Sequence, residues 1–433
     1  MPEYKKKRVN RLRGAPKPKK AKRVKQTDTD DIIMSSSDKK RRQETVKEQE
    51  PVSSMRVLKG KKLERKRKLK AYLSVVSAVA VICLVLHLIL PVGIFENVQN
   101  LTALIGNGGY PTELESTDTL GSVSRGMYYY VLTDTRLNAY ANSGKEIYSH
   151  SHGFENPVMK TSKTRAMVFS QGGDELFIYN LQQEKASVKT ESEIITAGIS
   201  DSGVYAIVAQ SDTYASAVSV YGKNNKLIYE WYSSEDTVNN VAVSPNGKKI
   251  AVSAFNASSG AYTSKVSVFG FDSATPEFTE TYNGTLVYNL DSTHGSGFSV
   301  VTENSVQFIT WSDHKKTEYK NDYTAAMFRA GSPGSIAVFN RESDRTDNRV
   351  AVFNTKGQLK NEFEFKGIIS DIEISGGHIY CISDTNVYIL DGTGAVIRKA
   401  ECGFGAVRLA VLGTNAAAVI TDNQIDKIKL EQK

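Results

Sequence analysis

Eight short segments of alternating apolar residues recur along the chain at a nearly constant interval, and this recurrence constrains the fold more than any other feature. The intervals are 39, 42, 48, 40, 44, 37 and 38 residues. Each segment alternates with a period of two, which is typical of β-strands and not of helices. The segments are LNAY at 137, LFIY at 176, VSVY at 218, VSVF at 266, VQFI at 306, VAVF at 350, VYIL at 387 and IDKI at 425.

One unit shows what each repeat contains. In VAVSPNGKKIAVSA, residues 241–254, a strand ends at Pro-Asn-Gly, where we expect Gly247 to adopt a positive φ angle, and a second strand follows. Two more strands are predicted at 265–271 and 276–282, and a weaker copy of the first hairpin lies at 198–210. Four antiparallel strands in about 41 residues predict one blade of a β-propeller.

The number of units predicts an all-β domain over about 111–433, an eight-bladed β-propeller, with seven blades as the alternative. The last unit offers only three strands before the sequence ends. Residues 111–116, PTELES, have strand character, and we expect them to complete the last blade as its outermost strand. Such closure would remove an exposed edge strand and tie the two ends of the domain together.

The segment 71–90, AYLSVVSAVAVICLVLHLIL, contains no Asp, Glu, Lys or Arg. Twenty helical residues span roughly the 30 Å of a bilayer core, and the lack of a polar stripe argues against a buried core helix. We predict a transmembrane signal-anchor helix, because 70 residues precede the segment and no small-residue cleavage motif follows it. A linker is expected at 91–110.

Charge is divided sharply between the two sides of this segment. Residues 1–70 carry 26 Lys and Arg against 9 Asp and Glu, and residues 71–433 carry 29 against 38, so the net charges are +17 and −9. The tail 1–70 is poor in large apolar residues, which predicts disorder. The positive-inside rule predicts a single-pass protein of the cell membrane with a cytoplasmic N-terminus and an extracytoplasmic propeller.

A basic cluster directly precedes the predicted span. We expect it to contact anionic lipid at the cytoplasmic face of the membrane. The alternatives are a charge run that only fixes topology, and a tail that binds a protein or a nucleic acid. The cluster consists of Lys61, Lys62, Arg65, Lys66, Arg67, Lys68 and Lys70.

The sequence carries no pattern typical of catalysis, metal binding or cofactor binding. It has no calcium-binding loop, nucleophile elbow, C-x-x-C pair or phosphate-binding glycine loop. His150 and His152 fall on one face of a strand, but no third metal ligand is evident nearby. The innermost strands, for example NVAVS, RLAVLG and DIEIS, are mainly apolar and small. We therefore expect no catalytic, metal or cofactor site.

Three units have a long connection between their second and third strands, at 211–216, 255–264 and 340–349. Equivalent connections lie on one face of a propeller, and Ser, Tyr, Asn, Asp and Arg are typical of adaptable recognition loops. Tolerated surface insertions are the alternative. The residues predicted to bind a partner are Asp212, Tyr214, Asn256, Tyr262, Arg341, Asp344 and Arg345.

The two cysteines of the propeller are predicted to be free. Cys381 lies in the second strand of blade seven, and Cys402 follows the fourth strand of that blade. Two strand spacings separate them by roughly 9–10 Å, whereas a disulfide needs Cα atoms within about 7 Å.

The motif SPNGKKIAVS resembles the first hairpin of WD40-like and related bacterial propeller repeats. The whole layout resembles an uncharacterised clostridial (Firmicutes) family of single-pass membrane-anchored β-propeller proteins, a resemblance that implies no particular activity. We predict a membrane-tethered, non-enzymatic binding or scaffolding module of the cell envelope. Its expected partner is an envelope protein or a glycan, and nucleic acid is not expected. The alternatives are an exported enzyme with a site in the central channel, and a sensor whose basic tail binds lipid, protein or nucleic acid.

Overall fold

The computed structural model describes residues 36–90, 92–115, 118–258, 260–292, 295–331 and 333–430. Two helices precede the propeller: α1 (Ser36–Ile89) and α2 (Ile94–Ala103). The predicted linker therefore contains a helix.

Helix α1 contains the predicted span except for its last residue, Leu90, and continues on the N-terminal side of the span. Residues 36–70, predicted to be disordered, are helical in the structure, and residues 1–35 of the predicted tail lie outside the described residues. Lys, Arg, Glu, Gln and Leu dominate 36–70, and all are strong helix formers, which explains the difference. Among the described residues, only the segment Lys62–His87 is helical, long and apolar enough to cross a membrane, and none of its most apolar stretch is buried inside the protein.

The strands form eight four-stranded antiparallel sheets, which confirms the prediction of eight blades. In chain order, the strands as far as blade four are β1 (Thr112–Glu113), β2 (Thr119–Ser124), β3 (Tyr128–Thr133), β4 (Arg136–Ala141), β5 (Glu146–Ser151), β6 (Pro157–Thr161), β7 (Ala166–Ser170), β8 (Glu175–Tyr179), β9 (Glu184–Lys189), β10 (Ile194–Ile199), β11 (Tyr205–Ala209), β12 (Ser216–Tyr221), β13 (Leu227–Ser233), β14 (Thr237–Val243), β15 (Lys249–Ser258), β16 (Ala261–Gly270) and β17 (Phe278–Asn283).

Blades five to eight follow the same order. Their strands are β18 (Val287–Asp291), β19 (Gly297–Thr302), β20 (Ser305–Thr310), β21 (Lys316–Lys320), β22 (Thr324–Gly331), β23 (Gly334–Arg341), β24 (Asp344–Asn354), β25 (Leu359–Lys366), β26 (Ile369–Ser375), β27 (His378–Ser383), β28 (Asn386–Leu390), β29 (Val396–Glu401), β30 (Arg408–Gly413), β31 (Ala416–Ile420) and β32 (Gln424–Lys429).

Blade one is β2 to β5, and each of the next six blades takes the next four strands. The eight repeated segments are the third strands of the blades. Blade eight consists of β30, β31 and β32 with β1 at its outer edge, where Thr112 pairs with Ile425 and Glu113 with Gln424. The predicted closure by the start of the propeller is therefore confirmed.

Apolar side chains pack between neighbouring blades and hold the ring together. One cluster joins Val208 and Val220 of blade three to Val241 and Ile250 of blade four. At the closure, Leu114 joins side chains of blades one and eight in a shared cluster. The core of the domain is therefore a ring of interfaces between blades, to which each blade contributes both of its surfaces.

The connections between strands alternate between two faces of the ring, because neighbouring strands are antiparallel. We call the face with the connections from first to second and from third to fourth strands the turn face. The face with the connections from second to third strands and from one blade to the next is the loop face. On the turn face, Gly247 has the predicted positive φ angle, 66°.

Candidate binding faces and the central channel

The loop face is acidic. Among the described residues of its connections there are fifteen Asp and Glu and no Lys or Arg. Basic side chains on adjoining strands offset some of them, as Lys265 does for Asp236 at 2.8 Å. The fifteen residues are Glu115, Asp118, Asp134, Glu155, Asp174, Glu191, Glu193, Asp212, Glu235, Asp236, Glu303, Asp322, Glu342, Asp384 and Asp422.

The residues predicted to bind a partner all lie on the loop face, but only one of the three predicted loops is a loop. Asp212 and Tyr214 lie in the connection between β11 and β12, where the Tyr214 ring packs on Tyr232 with the centroids 4.9 Å apart. In blade four, β15 and β16 instead continue as a long hairpin in which Asn256 pairs with Thr263. The predicted loop 255–264 is therefore wrong, because pairing of the two backbones extends the ladder almost to the tip.

Blades three and four are joined at this face. The Asn256 amide nitrogen donates to Asp236 Oδ1 at 3.2 Å, and Asp236 lies in the connection that leads from blade three to blade four. Tyr262 is half exposed on the other strand of the same hairpin. Asp212, Tyr214, Asn256 and Tyr262 thus belong to one pair of neighbouring blades.

The remaining predicted residues form a separate group on blade six. The segment 340–349 is also a hairpin and not a loop, with Arg341 opposite Asp344. The Arg341 guanidinium lies 4.9 Å from the centroid of the Tyr323 ring and 3.3 Å from Asp347. Arg345 is exposed beside them. Blade five separates this group from blade four, so the structure does not bring the seven residues into one site.

A cavity of about 1280 Å³ runs along the innermost strands. Apolar and small side chains of the innermost strands form more of its wall than polar ones, as predicted, but ionisable side chains lie among them. In DIEIS, alternation places Asp371 and Glu373 on the same side of β26; Glu373 lines the cavity and Asp371 is buried. Ionisable side chains that line the cavity include Arg125, Lys160, Lys163, Arg329, Glu373 and Arg408.

Asp371 and Glu373 link the innermost strands of blades six, seven, eight and one. Asp371 is buried, and accepts hydrogen bonds from Arg329 at 3.2 Å and from the Leu409 backbone at 3.0 Å. Glu373 accepts one from the Ser124 backbone at 3.2 Å. Burial in the channel wall raises the pKa of Glu373 to about 7. Such a carboxyl group can donate or accept a proton near neutral pH.

A smaller polar pocket of about 320 Å³ lies at blades two to five. Asn239 and Asn240 in its wall both donate to the Val287 carbonyl, at 2.9 and 3.3 Å. Lys160 also lines it, and desolvation lowers the pKa of Lys160 while the charge of Asp291 opposes that shift. The pocket offers amide groups and one desolvated amine, which suits a small polar ligand.

The turn face has the opposite charge from the loop face. Its described connections carry nine Lys and Arg against five Asp and Glu. The basic residues are Arg125, Lys145, Lys163, Arg165, Lys223, Lys226, Lys248, Lys315 and Lys356, and the acidic ones are Asp201, Asp272, Glu277, Asp313 and Asp391.

Helix α2 is attached to the turn face by buried polar contacts that no local pattern in the sequence predicts. The Arg165 guanidinium donates to both Glu96 oxygens, at 2.7 and 2.8 Å, and both side chains are buried. The Asn100 side chain accepts from the Leu181 backbone at 2.9 Å and donates to the Thr164 carbonyl at 3.2 Å. Lys145 donates to the Ala103 carbonyl at the C-terminal end of α2.

The basic cluster before the predicted span lies on α1. Its described side chains are all exposed, and the side chain of Lys61 lies outside the described part of the chain. These exposed residues are Lys62, Arg65, Lys66, Arg67, Lys68 and Lys70.

The histidine pair is used in packing. His150 stacks on Tyr179 with the centroids 4.4 Å apart, and buried His152 accepts from the Phe154 backbone at 3.1 Å. Within the described ranges, no group of three or more His, Cys, Asp or Glu could hold a metal ion.

The cysteines have the predicted arrangement. Cys381 lies in β27, Cys402 follows β29, and β28 runs between these strands. Neither thiol is in a disulfide. Burial raises the pKa of Cys381 to about 12, so its thiol stays protonated and unreactive.

The fold is shared with proteins of very different sequence. The C-terminal WD40 domain of Sif2 is similar over 75% of this chain and 100% of that domain, with 11% identity and a TM-score of 0.52. BamB from Moraxella catarrhalis is similar over 75% of this chain and 100% of that chain, with 11% identity and a TM-score of 0.48. At these identities the similarity to Sif2 shows the fold alone. No curated protein sequence matches this chain.

One family covers the whole propeller, from the closing strand to the end of β32. Residues 111–430 match the family described as "Family of unknown function (DUF5711)". The chain belongs to the DUF5711 family.

Proposed function

We propose that this protein is a membrane-tethered, non-enzymatic binding or scaffolding module of the cell envelope. The observation that carries the proposal is the exposed apolar surface of α1. Tyr72, Leu73 and Ile89 are each more than half exposed. An exposed apolar surface of this kind marks a site of contact with a membrane or another protein. The length of this uncharged helical segment suits a bilayer.

The charge step along α1 supports one orientation. The exposed basic side chains from Lys62 to Lys70 lie on the N-terminal side of the uncharged segment, so that end belongs in the cytoplasm beside anionic lipid. The propeller then lies outside the membrane. The resemblance to the clostridial single-pass family supports the same layout: a basic tail, one signal-anchor helix and an exported propeller.

The partner class follows from the loop face. Fifteen acidic residues and no basic ones among the described residues of its connections favour a partner with a cationic surface, and an envelope protein meets this requirement better than a neutral glycan. The same charge disfavours nucleic acid, whose phosphates would be repelled. Tyr214 and Tyr262 offer rigid aromatic side chains beside this acidic surface, a combination typical of protein interfaces.

The topology is tested by protease treatment of spheroplasts with intact membranes. We expect added protease to digest the propeller or the segment before it and to leave a protected N-terminal fragment that contains residues 1–70. A protected propeller with loss of the N-terminal fragment would reverse the proposed orientation. Digestion after the membrane is permeabilised is the control, and both parts should then be lost.

A second candidate function, an exported enzyme, is favoured by Glu373. This carboxyl group lines the channel, lies next but one to Asp371 and has a pKa near neutrality, as a general acid or base requires. The test is release of soluble products from purified peptidoglycan by the full-length protein. Release that Glu373→Gln abolishes would favour the enzyme over the binding module.

A further inference from the structure

The geometry points to α2 as an interfacial helix, and we propose that it holds the turn face of the propeller against an anionic phospholipid bilayer. The proposal rests on the membrane tether proposed above and adds which face of the propeller the membrane covers. It has three supports: the two faces of α2, the charge of the turn face, and the connectivity of the chain.

Helix α2 has two different faces, and its apolar one points away from the protein. Phe95, Val98 and Leu101 recur at helical spacing along α2, and they are 79%, 52% and 55% exposed. Ile105, just after the end of α2, adds another apolar side chain that is 73% exposed. An amphipathic helix of a water-soluble protein normally turns this face towards the core. A helix that turns it outward needs an apolar environment, and the boundary of a bilayer supplies one.

The opposite face of α2 is fixed to the propeller. Glu96 and Asn100 are buried there through their hydrogen bonds to Arg165, Leu181 and Thr164. Because a buried carboxylate without its guanidinium is costly, these contacts hold the helix in one orientation. The apolar stripe is therefore a fixed surface of the folded unit.

The turn face around α2 has the charge that an anionic surface requires. Within the described residues, six of its basic side chains have no carboxylate within 4.0 Å: Arg125, Lys145, Lys223, Lys226, Lys248 and Lys356. Three of the five acidic residues on this face are neutralised by Lys partners, Asp201 by Lys163 among them. Such a surface is attracted to anionic lipid, whereas the loop face is repelled by it.

The short segment between α1 and α2 limits how far the turn face can lie from the proposed membrane anchor. Helix α1 ends at Ile89 and α2 begins at Ile94, so four residues separate the two helices. Four residues reach at most about 14 Å when fully extended. Exposed Met127, in the turn between β2 and β3, adds an apolar side chain on the same face.

The experiment uses the full-length protein in liposomes of phosphatidylcholine with about 30% phosphatidylglycerol, an anionic surface of the kind that attracts basic residues. Single cysteines are introduced as Val98→Cys on the stripe, Thr355→Cys on the turn face and Thr213→Cys on the loop face. The background carries Cys83→Ala and Cys402→Ser, and buried Cys381 is kept. Two readouts are the rate of reaction with a bulky uncharged maleimide, and quenching of an attached fluorophore by lipids with nitroxide head groups.

We expect Val98→Cys to react at least about tenfold more slowly than Thr213→Cys, because the bilayer covers the stripe. We expect quenching at Thr355 and none at Thr213, with quenching at Thr355 reduced in pure phosphatidylcholine or in about 0.5 M salt, where the charge attraction is screened. Equal reaction rates at Val98 and Thr213 in firmly inserted protein would overturn the inference while the tether stands. Quenching at Thr213 but not at Thr355 would also overturn it. Protein that an alkaline wash removes from the liposomes would refute the tether, and the inference with it.

Discussion

Removal of the Arg165 side chain should release α2 from the propeller. The guanidinium of Arg165 and the carboxylate of Glu96 are 4% and 8% exposed, and they make two parallel hydrogen bonds of 2.7 and 2.8 Å. The next cation, Lys185, lies 3.8 Å from Glu96 and is itself partly exposed. In Arg165→Leu the carboxylate would therefore be left buried with one distant partner.

The expected magnitude follows from this burial. Removal of one partner of a buried ion pair costs about 3–5 kcal/mol, because the remaining charge is desolvated without compensation. One factor of ten in an equilibrium corresponds to about 1.4 kcal/mol. The population with α2 detached should then rise by roughly two to three and a half orders of magnitude. The blades, which are held by their own apolar interfaces, should stay folded.

Hydrogen exchange measured by mass spectrometry on the full-length protein in detergent provides the assay. Peptides that cover 94–103 should exchange at least about a hundredfold faster in Arg165→Leu, while peptides from blades four to six keep their protection. The matched control is Lys163→Leu in the same turn. Lys163 is 74% exposed and pairs with Asp201 at 2.7 Å, so its loss should cost no more than about 1 kcal/mol.

A third variant separates charge from packing. Glu96→Leu combined with Arg165→Leu removes both charges together and leaves no buried ion, so protection of α2 should largely return. Unchanged exchange of 94–103 in Arg165→Leu, within a factor of about three, would refute the reasoning. The ion pair would then contribute nothing to the attachment of α2.

Three further predictions concern the channel, the blade turns and the loop face. The folded pKa of Glu373, about 7, exceeds the unfolded value of about 4.3, so its protonated form stabilises the fold at low pH and this contribution is lost as pH rises through 7. Chemical denaturation from pH 4 to 8 should show that Glu373→Gln removes roughly 3–4 kcal/mol of this decline, and parallel pH profiles for the two proteins would contradict the assignment. Gly247→Ala should lower the free energy of unfolding by about 1–3 kcal/mol more than Gly172→Ala. Both glycines have positive φ angles, but an added Cβ atom would contact Val204 only at Gly247. Equal losses of stability in the two variants would disprove this close approach. Tyr214→Ala with Tyr262→Ala should abolish capture of the partner from envelope extracts without a change in Tm, and undiminished capture would remove blades three and four from the binding surface.

The number and order of the blades could be predicted because their signals are local. Alternation with period two marks strands, and turn glycines such as Gly247 mark where they reverse. The eight predicted segments coincide with the third strands of the blades, and PTELES contains β1, the outermost strand of blade eight. Closure follows from a requirement on the whole ring, since an unpaired edge would otherwise remain.

The channel wall and the attachment of α2 depend on contacts that have no local signal. Glu96 and Arg165 are 69 residues apart, and the local sequence around neither residue predicts that they form an ion pair. In DIEIS, alternation places Asp371 and Glu373 on one side of the strand, but the packing of the blades determines that Glu373 lines the channel and Asp371 is buried. The long hairpin around Asn256 was mistaken for a loop because Ser, Asn and Gly favour turns, whereas the ladder formed with β16 determined the outcome.

The charge of the two faces is present in the sequence but can be read only after the strands are assigned. Consecutive connections alternate between the two faces. A chain that concentrates acidic residues in the connections of one face and basic residues in those of the other therefore becomes a ring with oppositely charged faces. The basic face is the one to which α2 is attached, next in sequence to the apolar helix. If the tether and the interfacial helix are as proposed, the lipid charge, the apolar stripe and the position of the anchor all favour the same orientation. The acidic loop face would then point away from the membrane, where a cationic partner can reach it.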